Sequence, residues 1–354
     1  MLTLVLGYIF NLLNKIVPKE NEKIVISSFP DFDDMCRGVL ECEEGRIVIL
    51  LNDNHRTIPS WVKDNTITVR KNSIFGLYHI LSSKKIYYTH GLFGFFKPLD
   101  ESTQLVINIW HGMPIKNIGY LDGKKSVSNF HYTISQSPFF LKIIAKAFGV
   151  PFDRVLIQNL PRNNILLKKS SNEELRTLKY KYKKVHTWLP TYRKSCIGDI
   201  RTDGEKLPFF SFSDMNVNEL NNIFKEKNEL LIIKPHPMAE KDEGMNESYS
   251  NIKVIDESWL LEKDVTLYEL LSETDALWTD YSSVFIDYLL VNRPILFVIP
   301  DFEIYKNSRG FTFDVSEKSL PGKLIKSDKE LINFLKEDML TIPDKNLRNL
   351  YLGL

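Results

Sequence analysis

The stretch Leu105-Val106-Ile107-Asn108-Ile109-Trp110-His111-Gly112-Met113-Pro114 is an apolar run that ends in a polar turn. A short run of branched apolar residues is typical of a buried strand, and the glycine and proline that follow predict a sharp turn. The run Glu229–Lys234, followed by Pro235-His236-Pro237, repeats the pattern. Strands of this kind, when helices separate them, are typical of parallel sheets that are buried on both faces.

Such runs alternate with helix-like stretches along most of the chain and form two series. The expected strands of the first series are Lys23–Ser28, Arg46–Leu51, Lys85–Thr89, Leu105–Trp110, Tyr132–Ser135 and Val155–Gln158. Those of the second series are Lys184–Trp188, Glu229–Lys234, Ile252–Ile255, Ala276–Thr279 and Pro294–Val298. The expected helices include Pro138–Phe148, Val217–Lys227, Thr266–Glu273, Val284–Val291 and Asp328–Lys336. The alternation predicts an α/β protein with two parallel sheets.

Length and composition agree with two globular domains. The chain has 354 residues, of which 43% are hydrophobic and 26% charged, which excludes a disordered chain and a polytopic membrane protein. A net charge of +1 gives no indication of nucleic-acid binding, and three cysteines without a CxxC pair argue against disulfides or structural zinc. We interpret the basic stretch Lys168–Lys184 as the junction, which gives an N-terminal helix at 1–18 and domains at 19–167 and 168–354.

The first residues form a separate apolar segment, LTLVLGYIFNLLNKIV at positions 2–17. Thr3, Gly7, Asn11 and Asn14 fall on one helical stripe, the remaining surface is apolar, and Pro18 ends the helix. The segment is too short and too polar to span a bilayer, and it lacks the flanks of a signal peptide. Two interpretations remain open: a helix packed on the core or in a homo-oligomer, and an amphipathic helix lying in a membrane surface.

Ligands of open parallel sheets bind at the carboxyl ends of the strands, so the residues that follow the strands are candidate site residues. His111 follows an expected strand and Gly112 shapes the turn behind it, which suits a general base. His236 lies between two prolines and close to Lys234, where it could bind or protonate an anionic group. The structural alternatives are a hydrogen bond within the loop for His111 and a rigid surface turn for His236.

The segment Trp278-Thr279-Asp280-Tyr281-Ser282-Ser283 joins an expected strand to an expected helix. Free amides and serine hydroxyls at a helix N-terminus form a cradle for phosphate. Thr279, Ser282 and Ser283 supply more hydroxyls than a single helix cap needs. The segment therefore predicts phosphate binding, and a plain helix cap is the alternative.

The sequence Asp31-Phe32-Asp33-Asp34 resembles the DxD metal motif of sugar-nucleotide enzymes and follows the first expected strand. We interpret these residues as acceptor-binding or loop residues rather than as metal ligands. The chain has no GxGxxG, GxxxxGK[ST], HExxH or GxSxG motif, so a dinucleotide-binding fold, a P-loop ATPase, a zinc protease and a serine hydrolase are not expected.

Together these segments resemble the CDP-glycerol glycerophosphotransferase family of teichoic acid and capsule enzymes. The resemblance covers about Lys23 to Gly322 and rests on motifs that occur in the family's order. They are SFPDFDD (Ser28–Asp34), WHGxPxKxxG (Trp110–Gly119), PRN (Pro161–Asn163), PTYR (Pro190–Arg193), KPHP (Lys234–Pro237), TDYSSVxxD (Thr279–Asp287), NRPI (Asn292–Ile295) and YKNSRGF (Tyr305–Phe311). The chain length leaves no room for the long N-terminal region of the polymerases, so we expect a primase-like enzyme that makes one or few additions.

The resemblance implies a GT-B-like fold, in which two Rossmann-like parallel-sheet domains face a central cleft. It implies transfer of glycerol phosphate from CDP-glycerol, or ribitol phosphate from CDP-ribitol, to a hydroxyl of a polyprenyl-diphosphate-linked saccharide, with release of CMP. It also implies peripheral attachment to the cytoplasmic face of the cell membrane. No metal or other cofactor is expected.

Within this mechanism His111 is the expected base, and His236 would bind or protonate the diphosphate. The expected donor-binding residues are Lys234, Thr279, Asp280, Ser282, Ser283 and Arg309. The expected acceptor-side or loop residues are Asp31, Asp33, Asp34, Gly112, Arg162 and Arg193. Two rival classes remain open: a glycosyltransferase that uses a nucleotide-sugar, and a non-catalytic membrane-bound scaffold.

Overall fold

A computed structural model describes residues 2–53, 57–124, 129–191, 212, 215–236 and 248–354. Contacts between Cα atoms divide the chain into two compact units. The first unit consists of Met1–Met113 and Gly119–Ile165, and the second of Pro114–Ile118 and Leu166–Leu354. The short segment Pro114–Ile118 thus belongs to the second unit, although the chain on both sides of it belongs to the first.

The first unit is built on a seven-stranded parallel sheet with the order β3-β2-β1-β4-β5-β6-β7. Its strands are β1 (Glu20–Ser27), β2 (Arg46–Leu51), β3 (Ile67–Arg70), β4 (Ser83–Tyr88), β5 (Leu105–Asn108), β6 (Tyr132–Ser135) and β7 (Val155–Ile157). Its helices are α1 (Leu2–Ile16), α2 (Asp34–Cys42), α3 (Ile74–Ser82), α4 (Pro138–Phe148) and α5 (Asn163–Leu166). The central strand β1 pairs on both sides, with Val25 opposite Val48 of β2 and Ile86 of β4.

The second unit is built on a six-stranded parallel sheet with the order β10-β9-β8-β11-β12-β13. Its strands are β8 (Lys184–Trp188), β9 (Glu229–Ile233), β10 (Ile252–Val254), β11 (Ala276–Thr279), β12 (Ile295–Val298) and β13 (Lys323–Ile325). Its helices are α6 (Glu173–Lys181), α7 (Val217–Glu226), α8 (Glu257–Glu262), α9 (Leu267–Glu273), α10 (Val284–Tyr288), α11 (Phe302–Arg309), α12 (Asp328–Glu337) and α13 (Lys345–Leu352). The prediction of an α/β protein with two parallel sheets is confirmed.

Local sequence signals explain where several helices begin and end. Helix α4 covers the predicted residues, because Pro138 fits the first turn and Gly149 adopts a left-handed φ of 66° at the C-terminus. Thr266 and Glu269 form a capping box at the start of α9. Asn172 caps α6 by accepting hydrogen bonds from the backbone N–H groups of Glu174 and Leu175.

The structure departs from the sequence-based expectation in a few elements. The strands β3 and β13 were not predicted, and both are short edge strands whose residues are mostly accessible to solvent. The stretch Lys168–Lys184, which we interpreted as the domain junction, contains α6, whose Leu175 and Leu178 are buried in the core of the second unit. Among the residues described, no helix is both long and apolar enough to cross a membrane.

Each sheet has one point at which the strand order reverses, between β1 and β4 in the first unit and between β8 and β11 in the second. Ligands of doubly wound folds bind outside the carboxyl ends of the strands at such points. The loops after β1, β4 and β5, and those after β8, β9 and β11, are therefore where a site is expected.

Candidate active site

In the first unit, Asp31 fixes the loop that follows β1. Its carboxylate accepts hydrogen bonds from the backbone N–H groups of Asn52 (2.8 Å) and Asp53 (2.9 Å), and from the side-chain amide of Asn52 (2.6 Å). Asp31 is buried. The residue therefore ties the loop after β1 to the loop after β2, which favours the loop role among the roles that we predicted for it.

Asp33 caps α2, and Asp34 is the first residue of that helix. The Asp33 carboxylate accepts a hydrogen bond from the backbone N–H of Cys36 (2.8 Å). Burial raises the pKa of Asp33 to about 7, and the charge of Asp34 contributes to the rise. The hydrogen bond from the Cys36 N–H and the positive charge of Arg162 act in the opposite direction and lower the pKa. Asp33 and Arg162 thus lie close enough for their charges to interact.

The backbone of the PRN motif packs directly on α2. A Cβ atom at Gly38 would lie 2.3 Å from the carbonyl carbon of Pro161 and 2.7 Å from the nitrogen of Arg162. Only glycine allows this approach. The packing holds Arg162 beside the loop that carries Asp33.

His111 lies in a tight turn after β5. The strand ends at Asn108, two residues earlier than predicted, because Trp110 has a φ of 53° that cannot continue a strand. Gly112 follows with a φ of 136°, which favours glycine. A left-handed tryptophan next to a candidate base is the kind of backbone strain that clusters at functional sites.

The His111 imidazole is kept uncharged by its surroundings. Burial lowers the pKa of His111 well below its ordinary value, and the charges of His90 and Arg162 lower it further. Within the part of the chain that the structure describes, Nδ1 of His111 is buried and has no hydrogen-bond partner. Such an atom costs about 1–3 kcal/mol unless something binds it, and an uncharged ring can accept a proton.

His90 is a residue of this cluster that the sequence analysis missed. Its ring is stacked on that of His111, with centroids 4.2 Å apart and an interplanar angle of 3°. It follows β4, just as His111 follows the neighbouring strand β5. Burial and the charge of Lys71 lower the pKa of His90 to about 4, although solvent screens part of this effect because the residue is exposed.

In the second unit, Asp280 joins the loop after β11 to the chain that leaves β8. Its carboxylate accepts hydrogen bonds from the backbone N–H groups of Thr191 (2.9 Å) and Tyr281 (2.6 Å), and from the Thr191 hydroxyl. The Thr279 hydroxyl donates to the backbone oxygen of Leu189 (3.4 Å). Asp280 and Thr279 are both buried, and they organise the loop.

The two serines of this loop are more accessible. Ser283 occupies the cap position of α10 but makes no side-chain capping hydrogen bond. The Ser282 hydroxyl accepts a long hydrogen bond from the backbone N–H of Val284 (3.4 Å). Both serines are half-buried, so a ligand can approach their hydroxyls.

The KPHP motif supplies charged groups after β9. Lys234 is buried and forms an ion pair with Glu257, with 2.6 Å between Nζ and Oε1. Burial lowers the pKa of His236 to about 4, the charges of Lys116 and Lys234 lower it further, and Glu257 and Asp280 oppose the change. Because His236 is exposed, solvent weakens the effect. The ring is uncharged at neutral pH.

The electrostatics of His236 identify a second missed residue, Lys116. It was part of the WHGxPxKxxG motif but was not among the predicted site residues. Arg309 ends α11, and only its backbone is described. Arg193 and Pro237 lie outside the described residues. In the part of the chain that the structure covers, no His, Cys, Asp and Glu side chains come together in a metal-binding group of three.

The sequence profile of CDP-glycerol:poly(glycerophosphate) glycerophosphotransferases matches residues 9–349. This chain belongs to that family. The motifs that suggested the resemblance therefore lie in a member of a family of glycerophosphotransferases, and the predictions of an enzyme and of this family are confirmed.

The chain is similar to the teichoic acid poly(glycerol phosphate) polymerase of Bacillus spizizenii. The two sequences are 28% identical over 80% of this chain and 73% of the polymerase. The teichoic acid ribitol-phosphate primase of the same organism is 24% identical over 94% of this chain and 87% of its own length. A solved structure of the wall teichoic acid polymerase TagF, in a variant with CDPG, superposes with a TM-score of 0.71. The TagF chain is 21% identical to this chain, and the superposition covers 98% of this chain and 85% of the TagF chain. The fold is therefore shared with TagF, in agreement with the GT-B-like architecture that the resemblance implied.

Proposed function

We propose that this glycerophosphotransferase transfers glycerol phosphate from CDP-glycerol to a hydroxyl of a polyprenyl-diphosphate-linked saccharide and releases CMP. The observation that carries the proposal is the uncharged, partly unsatisfied imidazole of His111 at the carboxyl edge of the first sheet. A base in this state takes a proton without first losing one.

In the proposed reaction, the acceptor hydroxyl oxygen attacks the β-phosphorus of CDP-glycerol while His111 takes the hydroxyl proton. A phosphorus–oxygen bond to the acceptor forms as the bond from the β-phosphorus to the bridging oxygen breaks. CMP leaves with the bonding electron pair. Transfer of this kind depends on positioning and on neutralising charge, more than on covalent chemistry by the protein.

On the donor side, the hydroxyls of Ser282 and Ser283 and the adjacent helix amides would hold the phosphates. His236, whose ring is uncharged, would bind the diphosphate as a hydrogen-bond donor rather than protonate it, and Lys234 and Arg309 would supply positive charge. Thr279 and Asp280 would act mainly by shaping the loop, because their polar atoms already bond to neighbouring backbone.

On the acceptor side, Arg162 and Asp33 are the charged groups that would meet the saccharide near His111. Asp31 and Gly112 would fix the loops. Asp34 and Arg193 remain proposed acceptor-side residues on the strength of their motifs alone. The fold suits an acceptor that approaches the first unit and a donor that binds the second.

We further propose peripheral attachment to the cytoplasmic face of the membrane, and helix α1 carries this proposal. Its polar stripe faces the protein: the Asn11 amide donates to the backbone oxygen of Phe95 (2.8 Å), and that of Asn14 donates to Oε1 of Gln104 (3.1 Å). A Cβ atom at Gly7 would lie 2.8 Å from the Cβ atom of Phe95. The helix is thus attached by its polar side.

The apolar side of α1 consequently faces solvent. Leu6, Ile9 and Leu13 are 53%, 47% and 43% exposed. Helix α3 contacts α1, and its first residues, Ile74 and Phe75, are 83% and 71% exposed. Exposed apolar side chains on two helices that contact each other are typical of membrane-surface binding.

We also propose that the acceptor receives one or few units, as in a primase. The ribitol-phosphate primase of Bacillus spizizenii matches more of this chain, and more of its own length, than the polymerase of that organism does. Because that primase is described as acting with ribitol phosphate, CDP-ribitol is the alternative donor. A related capsule polymer is the alternative product.

The decisive experiment is mass spectrometry of a lipid-linked disaccharide incubated with CDP-glycerol, CDP-ribitol or a UDP-sugar. We expect a gain of one or few glycerol phosphates with CDP-glycerol, and none in the His111→Ala variant. A gain with CDP-ribitol alone would establish the alternative donor. A gain with a UDP-sugar alone would identify a glycosyltransferase, and no product with any donor would favour a scaffold.

A further inference from the structure

The segment Pro114–Ile118 is fixed on the second unit by backbone contacts. Lys116 forms an antiparallel bridge with Phe311. Thr312 donates its backbone N–H (3.0 Å) and its hydroxyl (2.7 Å) to carbonyl oxygens of the segment. The segment begins directly after the His111–Met113 turn in the sequence. A side chain on it is therefore held in place by the YKNSRGF region.

Gly310 is the residue of that region that allows the pairing. Its φ is 70°, and a Cβ atom there would lie 2.6 Å from Nδ2 of Asn117. The backbone N–H of Asn117 donates to the Gly310 oxygen (3.4 Å). A larger residue at 310 would be strained at this φ and would displace the Asn117 amide group, so the glycine of this motif has a positioning role.

The ammonium group of Lys116 lies over an aromatic platform beside the donor loop. Its Nζ is 5.6 Å from the centroid of Tyr305, which is buried and stacked on Tyr281 at 3.9 Å. Tyr281 directly precedes Ser282. The same ammonium lowers the pKa of His236 after the larger effect of burial, so it lies within electrostatic reach of that imidazole.

The other lysine near His236 has a different environment. Lys234 is buried, and its charge is balanced by the ion pair with Glu257. Lys116 is half-buried and packs on a neutral ring. Its effect on His236 also exceeds that of Lys234. Because Lys116 is more accessible than Lys234, it is the cation better placed to meet an incoming anion.

We propose that Lys116 binds the diphosphate of the nucleotide donor beside His236, and that the segment Pro114–Ile118 exists to carry it there. The inference rests on the proposed function, since it names a residue that recognises the proposed donor. An ammonium at this position neutralises the diphosphate on binding. It also stabilises the charge that gathers on the phosphate of CMP as the bridging bond breaks.

The first test is calorimetric titration with CDP-glycerol of three variants and the wild type. Lys116→Met keeps the aliphatic stem and removes the charge, while Lys116→Arg keeps the charge. Lys306→Met is the matched control, because Lys306 lies on the same helix as Tyr305 and pairs with Asp314 (3.4 Å). We expect at least tenfold weaker binding for Lys116→Met, because the variant loses a charge-assisted contact with the diphosphate. Arginine and the control should bind nearly as the wild type does.

The second test is NMR titration of His236 in the ligand-free protein. Removing a repelling charge favours the imidazolium, so Lys116→Met should raise the pKa of His236, and Lys306→Met should leave it unchanged. Wild-type donor affinity in Lys116→Met overturns the proposal, and so does an unmoved His236 pKa.

The two tests also separate this inference from the proposed function. If the wild type binds no CDP-alditol, the proposed donor is wrong, and the calorimetry is repeated with inorganic diphosphate. Weaker binding of diphosphate by Lys116→Met then supports the role of Lys116 for another nucleotide donor. A wild type without affinity for diphosphate overturns it.

Discussion

The imidazole of His111 is held uncharged by burial and by the ring of His90 stacked on it. Replacing His90 with alanine removes this cover, whereas phenylalanine keeps a flat ring. In His90→Ala the pKa of His111 should return towards its ordinary 6.5. As the pH falls, His111 of the variant is therefore protonated, and inactive as a base, at a higher pH than His111 of the wild type. We expect about fourfold lower kcat/KM at pH 6 and little change at pH 8. The pH profile of CMP release measures this.

His90→Phe is the matched control for that change. The acid limb of its pH profile for CMP release should stay close to that of the wild type, because the stacked ring still excludes water from one face of His111. A uniform loss at every pH in His90→Ala would indicate a purely structural role. An acid limb unchanged in His90→Ala would show that stacking does not set the protonation of His111.

Asp33 links pH to stability. Its folded-state pKa of about 7 lies above its ordinary 3.8, so folding favours the protonated carboxyl group. The corresponding stability is present at low pH and is lost as the pH rises through about 7. In Asp33→Asn the amide oxygen can still cap α2, and no charge is buried. We expect a gain of roughly 1–3 kcal/mol at pH 8 and a smaller gain at pH 5, since solvent screens a half-buried group.

Urea unfolding at pH 5 and pH 8 measures that gain. Asp34→Asn is the control at the same helix end, and it should lose a little stability because a carboxylate in the first turn favours the helix dipole. Equal stability of Asp33→Asn and the wild type at pH 8 would show that Asp33 is ionised without cost in the folded protein.

Among individual site residues, the sequence indicated His111 and His236 but not His90 and Lys116. The first two follow almost uninterrupted apolar runs, which mark the ends of buried strands. His90 also follows an expected strand, Lys85–Thr89, but no proline lies within three residues of it, as one does for His111 and His236. Lys116 is positioned by its backbone bridge to Phe311, which lies far away in the sequence. No local sequence pattern predicts such a contact.

Among the elements, burial decided what could be predicted. The central strands were found because both of their faces are apolar. Of the four edge strands, β7 and β10 were predicted, whereas β3 and β13, which have mixed sequences, were not. For α1, periodicity predicted the helix and its stripe but could not tell which side meets the protein. Phe10 shows the difference: it belonged to the expected apolar face, yet it is buried against Phe93, Phe95 and Phe96.

The exposed apolar face of α1 leads to a prediction about membrane binding by this helix. Changing Leu6, Ile9 and Leu13 together to aspartate should abolish sedimentation with anionic liposomes, because it removes apolar area and adds charge that acidic lipids repel. The fold should persist, since these side chains face solvent.

The control places the same change on an exposed apolar pair of the second unit, Met339 and Ile342. That variant should sediment as the wild type does. Phe10→Ala tests the opposite side of the helix and should destabilise the protein by roughly 3–5 kcal/mol. Liposome binding that survives the triple change would show that the face of α1 meets protein instead.

In the whole molecule, the two histidines belong to different units and should fail in different ways. His111 lies in the first unit with the acceptor-side residues, and His236 lies in the second with the donor loop. We expect His111→Ala to lose about 10²–10⁴-fold in turnover while binding CDP-glycerol normally, because a base contributes to the reaction and not to donor affinity. We expect His236→Ala to lose turnover and also to bind the donor more weakly.

Paired measurements on each variant test this division of roles. CMP release gives turnover, calorimetry gives donor affinity, and thermal unfolding shows whether the variant is folded. Both variants should unfold near the wild-type temperature, because His111 lies in a turn and His236 at an exposed loop. Near-normal turnover in either variant removes that histidine from the mechanism, and an unfolded variant identifies a structural residue. If His111→Ala also lost donor affinity, the donor would depend on the first unit, and the assignment of acceptor and donor to separate units would be wrong.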